Sequence, residues 1–191
     1  MQKALINHKV AILISNGFEQ KSMIEAQKLL QDMGANVRVV SPEHGIVTGR
    51  DNQNWGHNFA VDQALNTALG ADYDVLVIPG GRKSHDKLAL TAHSRRFISS
   101  FMDAEKPVIL IDDAPYLPLI LDCMKDKTFA VSVTMQDFVA RYGAKWCGET
   151  VNTDANVMSG MLSTDQESFG RAMVSFLMDR LVNFDASKQA A

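Results

Sequence analysis

Cysteine is scarce in this chain: only Cys123 and Cys147 occur among 191 residues. Two thiols far apart, with no paired metal-type spacing, exclude a disulfide framework. A basic excess is missing too, since 19 Lys and Arg face 22 Asp and Glu, well interspersed, for a net charge of −3. Nucleic-acid binding normally needs a basic stripe, so that class of partner is excluded. No segment approaches the roughly 18–20 apolar residues of a membrane span. The opening stretch MQKALINHKVAILISNGF holds no apolar run long enough for a secretory signal. A soluble, cytoplasmic protein is expected. Internal repeats, low-complexity tracts and interdomain linkers are also lacking. One domain over residues 1–191 is therefore expected, with its core over residues 8–183 and a frayed tail, DASKQAA.

What is present alternates between two patterns. The run KVAILIS (9–15) is continuous and apolar, as suits a strand covered on both faces. Behind it, Met23, Ala26, Leu29, Leu30 and Met33 recur at helical spacing, and Gly34 stands where a helix C-cap belongs. ANVRVVSP, DYDVLVIPGG and PVILID read as three further strands, and RRFISSFMDAEK as an amphipathic helix. TVNTDANVMSG reads as a hairpin around Asp154, Ala155 and Asn156. A last helix over 165–182 carries Phe169, Met173, Phe176, Leu177 and Leu181 as one stripe. Strands alternating with helices imply right-handed crossovers and a mostly parallel, doubly wound α/β sheet.

In such sheets ligands bind beyond the carboxyl ends of the strands. Three unusual stretches fall there: NGFE (16–19), PGGRKSHD (79–86) and DDAP (112–115). The topology should gather them in one crevice. Glu19 is either a helix N-terminal acid facing the macrodipole or a buried, proton-carrying carboxyl. Gly80 and Gly81 tolerate positive φ and can turn backbone N–H groups toward a ligand, although a plain strand-to-helix turn needs the same residues. No P-loop and no G-x-G-x-x-G accompanies them, and no serine sits in a G-x-S-x-G elbow. His85 and His93 match no common metal spacing, so no metal and no cofactor are expected. His44 and His57 lie in polar, turn-like stretches and read as surface residues. Cys123 reads as a core thiol, and Cys147 beside Trp146 carries no activating context.

The segments VAILISNGFEQ, YDVLVIPGGRKSHDKL, FMDAEKPVILIDDAP and YGAKWCGETVNTDANVMSG, with the intervening chain, resemble the PfpI/ThiJ family, relatives of class I glutamine amidotransferases. The resemblance implies a flavodoxin-like, three-layer α/β/α sandwich. It places an active-site acid at Glu19, backbone donors at Gly80 and Gly81, and a nearby acid for which Asp86 is the best candidate. His85 and Ala114 accompany these as binding positions. The family's elbow normally reads Ile-Cys-His-Gly-Pro, with the cysteine as nucleophile. Here Ile111-Asp112-Asp113-Ala114-Pro115 puts aspartate at the cysteine and histidine positions alike.

Proteolytic, deglycase-like and isocyanide-hydrating activities of the family depend on that elbow and do not transfer. The favoured expectation is a non-catalytic, stress-related binding module with an acidic pocket, a small-molecule ligand and a homo-oligomeric state. Cysteine-less domains of this kind fused to large catalases supply the analogy. The second expectation is an enzyme of another chemistry, with Asp112 or Asp113 and Glu19 as acid and base. The third and weakest is a thiol hydrolase working through Cys123 or Cys147. Asp112 could also be a permanent mimic of a cysteine sulfinate. The resemblance brings Glu19 against Asp112, with one carboxyl donating its proton to the other. Trp55, in an otherwise polar segment, is a candidate interface anchor.

Overall fold

A computed structural model describes residues 4–189, with side chains described as far as Leu181. The chain opens with β1 (Lys9–Leu13), α1 (Gln20–Asp32) and β2 (Asn36–Ser41). A hairpin of β3 (Ile46–Asp51) and β4 (Asn54–Ala60) follows, then the two-residue β5 (Gln63–Ala64) and β6 (Val75–Ile78). Next come α2 (Arg82–Ala89), α3 (Ala92–Asp103), β7 (Val108–Ile111) and the short α4 (Tyr116–Ile120). The last part holds β8 (Thr128–Ala130), α5 (Gln136–Arg141), β9 (Lys145–Cys147), β10 (Val151–Asp154), β11 (Val157–Gly160) and α6 (Gln166–Gln189).

Seven strands form the central sheet in the order β10-β11-β7-β6-β1-β2-β5. Every neighbouring pair is parallel except β10 with β11. β6 and β7 are apolar throughout, and β1 is apolar after Lys9, because both faces are covered. Along β1, Val10 and Ile12 pack with Met23, Leu30, Phe169 and Met173 under α1 and α6. Ala11 and Leu13 point the other way, to Leu88, Phe97, Phe101 and Leu117 under α2, α3 and α4. Successive side chains of a strand face opposite layers, and both layers here are buried and apolar. The flavodoxin-like three-layer sandwich is therefore the architecture.

The five-residue stripe of the last helix is buried throughout. Its backbone continues past the expected end at Val182 to Gln189, so the stretch expected to fray is helical as far as it is described. Ala190 and Ala191 lie outside the described residues. Gly34 takes φ +92, as its C-capping place requires. Two features were not anticipated. The β3–β4 pair forms its own two-stranded sheet beside the main one, and β8–β9 forms another. The first matters for the site, because it is pinned to the loop after β1: Gly17 N–H donates to Thr48 O (2.8 Å) and Arg50 N–H to Phe18 O (2.7 Å).

Candidate functional site

Three loops meet at the carboxyl ends of β1, β6 and β7. The contact between the first two requires glycine. Gly81 stands at φ +126, and a Cβ there would lie 2.6 Å from both Glu19 N and Phe18 Cα. That closeness lets Glu19 N–H donate to Gly80 O at 2.7 Å. The third loop turns at Asp112, whose φ is +55, an uncommon conformation for a residue other than glycine, though aspartate tolerates it better than most. The turn puts Asp112 and Asp113 side by side at the edge of an open cleft of about 600 Å³.

Acids and bases share this cleft. Glu19, Glu25, Asp112 and Asp113 line it with Lys21, Arg50, Arg82 and Lys83, and Gly80, Gly81 and Ser163 complete the wall near the aspartates. Asp112 Oδ1 accepts twice from Ser163, from the backbone N–H at 3.1 Å and the hydroxyl at 2.7 Å. Burial pushes the Asp112 carboxyl above its ordinary range, with the two Ser163 donors pulling against it and the Asp113 charge adding to it. Burial likewise raises Glu19. The Lys21 N–H opposes that rise, and Asp51, Asp112 and Asp113 reinforce it. Asp113 Oδ1 takes the backbone N–H of Gly81 at 2.8 Å.

Of the positions expected at the site, Glu19, Gly80, Gly81, Asp112 and Asp113 converge on the cleft, and three do not. His85 is fully buried, with Nε2 against Pro79 O at 2.9 Å and its ring stacked on Tyr116. Burial holds its pKa below the ordinary imidazole value, which keeps the ring neutral, and Asp113 opposes that shift. Asp86 sits one turn beyond Arg82 on α2, and its Oδ1 accepts from Arg82 Nε and Tyr116 OH, each at 3.0 Å. These partners hold its carboxyl below the usual range against the opposing effect of burial. Ala114 is buried under the elbow. Helical rotation explains His85, which turns into the core while Arg82 and Lys83 face the cleft, whereas Asp86 shares the face of Arg82 but lies a full turn further along the helix.

The expected contact between Glu19 and Asp112 is also absent. No hydrogen bond joins the two carboxyls among the described residues. Ser163 takes the place foreseen for Glu19, and nothing near Asp112 in sequence pointed to it, 51 positions away.

Neither thiol borders the cleft. Cys123 Sγ lies 3.5 Å from Ser99 Oγ, and burial pushes its thiol up. Cys147 Sγ donates toward Phe129 O at 3.5 Å. Both are half-buried rather than core residues. His44 and His57 are exposed. Trp55 is 57% exposed on the hairpin, between Arg50 and Lys83, whose cationic groups lie 5.6 and 5.7 Å from its ring. Among the described residues no three His, Cys, Asp or Glu side chains group as metal ligands. No helix among them is long and apolar enough to cross a membrane.

The sequence pattern of the DJ-1/PfpI family matches residues 8–175. The chain belongs to the DJ-1/PfpI family. A deglycase of Thermococcus kodakarensis is 28% identical over 169 residues, covering 88% of this chain and 99% of the relative. The deglycase PfpI of Pyrococcus furiosus is 25% identical over the same length, with the same coverage. A putative cysteine protease of Bacillus subtilis is 26% identical over 173 residues, 90% of this chain and 99% of its own.

Among solved structures, a two-domain protein of Anabaena variabilis with DJ-1/ThiJ/PfpI-like and ferritin-like domains superimposes with a TM-score of 0.81 at 24% identity. The match covers 90% of this chain and 48% of that one. A DJ-1 superfamily protein of Salmonella typhimurium, solved as a cysteine-to-alanine mutant, gives 0.79 at 20% identity, covering 96% and 97%. These DJ-1/PfpI neighbours establish the fold, and the chemistry rests on the elbow of this chain.

Proposed function

We propose that this DJ-1/PfpI protein binds a small polar molecule in the cleft and does not run the family's thiol chemistry. The carrying observation is the elbow itself. A carboxylate stands at the strained position of Asp112, and a backbone donor of the glycine loop, Gly81 N–H, is taken by Asp113. Acyl transfer needs a nucleophile together with free donors for the developing oxyanion. Here one donor is occupied from within, and both thiols lie elsewhere. The ligand would meet carboxylates at the elbow and cations at Arg50, Arg82 and Lys83, an arrangement suited to a molecule carrying both hydrogen-bond donors and an anionic group. A stress-related role follows the family resemblance.

The test pairs two measurements. Methylglyoxal should not be consumed beyond the rate of denatured protein, before or after alkylation with iodoacetamide. A thermal-shift screen of small polar metabolites should return ligands whose effect is lost in Asp113→Ala. Thiol-dependent aldehyde consumption would refute the proposal. So would a screen in which no metabolite stabilises the protein.

A second reading, acid–base catalysis by the carboxylates, is favoured by the upward shifts of Glu19 and Asp112 in one cleft. We also propose a cytoplasmic protein that assembles at least as a homodimer, since free thiols suit a reducing compartment and the exposed Trp55 offers an anchor. Light scattering giving a mass near the 21.0 kDa of one chain would refute the assembly.

A further inference from the structure

We propose that Asp112 is a carboxylate nucleophile that opens small, water-soluble epoxides through an alkyl-ester intermediate, with Ser163 as the oxyanion site for the ester's hydrolysis. The inference rests on the reading of the cleft as a small-molecule site and adds a reaction to it. Three observations carry it. Asp112 occupies a strained strand-to-helix turn, the geometry that presents a nucleophile above a parallel sheet. Its Oδ1 is pinned by two Ser163 donors at 3.1 and 2.7 Å, while its Oδ2 has no hydrogen-bond partner among the described residues. Glu19 borders the same cleft and can hold a proton there.

The chemistry follows from the two unlike oxygens. In the first step Oδ2 attacks a ring carbon of the epoxide and a C–O bond forms. The ring C–O bond breaks with its electron pair on the epoxide oxygen, which takes the proton of the Glu19 carboxyl. The products are a β-hydroxyalkyl ester of Asp112 and a Glu19 carboxylate. In the second step Glu19 takes a proton from a water molecule that attacks Cγ of the ester. The negative charge develops on Oδ1, the atom that the Ser163 N–H and O–H already hold.

Collapse then breaks the bond between Cγ and Oδ2. The departing alkoxide takes the proton of the new carboxylic acid, leaving a diol, an Asp112 carboxylate and a protonated Glu19. Epoxide and water are consumed, one diol is released, and no redox partner is needed. An epoxide suits this site better than an alkyl halide because an oxygen leaving group needs the acid that Glu19 supplies. Ser163 is exposed, so water can reach Asp112 beside it.

The bond order of the second step makes a distinctive test. The full-length protein, in excess over glycidol, is allowed one turnover in heavy-oxygen water, and the peptide carrying Asp112 is weighed. The expected result is one heavy oxygen in Asp112 and none in the glycerol released. Ser163→Ala, a change in an exposed loop, should slow ester hydrolysis on the order of a hundredfold. It should therefore accumulate protein heavier by a whole glycidol on Asp112, and Asp112→Asn should show neither effect. Heavy oxygen in the glycerol instead, or glycidol attached to Cys123, Cys147 or a histidine, would overturn the inference. An unlabelled Asp112 in protein whose cleft still binds metabolites in the thermal-shift screen would also overturn it, while leaving the binding reading intact.

Discussion

Replacing Gly81 by alanine tests whether the two loops of the cleft touch as described. The new Cβ would lie 2.6 Å from Glu19 N, 2.6 Å from Phe18 Cα and 2.9 Å from Gly17 O, all backbone atoms that cannot rotate away. Two costs combine. Holding a non-glycine residue at φ +126 strains the backbone by about 1–3 kcal/mol. Forcing packed main chains apart adds about 1–3 kcal/mol. Gly143 supplies the control, because its φ is +76 yet nothing lies within 4 Å of its Cβ position. Gly143→Ala carries the strain alone, about 1 kcal/mol. For a domain of this size each kcal/mol moves Tm by about 2–4 °C. Gly81→Ala should therefore lower Tm by roughly 10 °C and Gly143→Ala by roughly 3 °C, measured by calorimetry or circular dichroism at one pH. Equal shifts would refute the close contact of the glycine loop with the segment after β1.

The upward shift of Glu19 gives a pH signature: the folded state binds that proton more readily than the unfolded chain, so Glu19 lowers stability as pH rises from its ordinary 4.5 through the raised folded value. Glu19→Gln should be stabilising near neutrality and indistinguishable from the parent below about pH 4, where both states are protonated, and a constant difference in Tm across that range would contradict the assignment. Ser163→Ala removes the hydroxyl that opposes the burial of Asp112, so the Asp112 carboxyl should titrate at higher pH in carbon-detected NMR. An unmoved titration would place the hydroxyl elsewhere. Phe169→Ala, at a buried ring packed over Gly160, should cost about 3–5 kcal/mol in urea unfolding. A loss below 1 kcal/mol would mean that α6 does not seal that face of the sheet.

The inner strands were legible because continuous apolar runs admit few structures other than a sheet covered on both faces. The positions of Glu19, Gly80, Gly81 and Asp112 were legible because strand ends in such sheets share one edge. The β3–β4 hairpin was not, since TGRDNQNWGHNFA carries polar side chains on both faces and hides its strand pattern. Its main-chain bonds to residues 17 and 18, and the edge contact of Phe59 with Phe18, tie it to the site. Ser163 was invisible for another reason: a serine in a loop has many surface roles, and only the return of the chain after β11 brings it to Asp112. His85 and Asp86 looked like site residues because they follow the glycine loop directly. Sequence adjacency failed for His85 because a helix turns each successive side chain by about 100°, and for Asp86 because a full turn carries it about 6 Å along the axis from Arg82.

The turn that carries Asp112 is fastened by main-chain atoms. Asp112 N–H donates to Gly160 O at 2.8 Å, Ala114 N–H to Ile111 O at 3.0 Å, and Tyr116 N–H to Asp113 O at 3.1 Å. None of these bonds depends on which side chains occupy positions 112 and 113. The reactive group at this corner is thus interchangeable without rebuilding its mount. Left-handed backbone costs roughly 1–2 kcal/mol for most residues and less for asparagine and aspartate. Exchanging thiol for carboxylate leaves these main-chain bonds in place, and a lineage can cross between chemistries by point substitution while its scaffold stays intact.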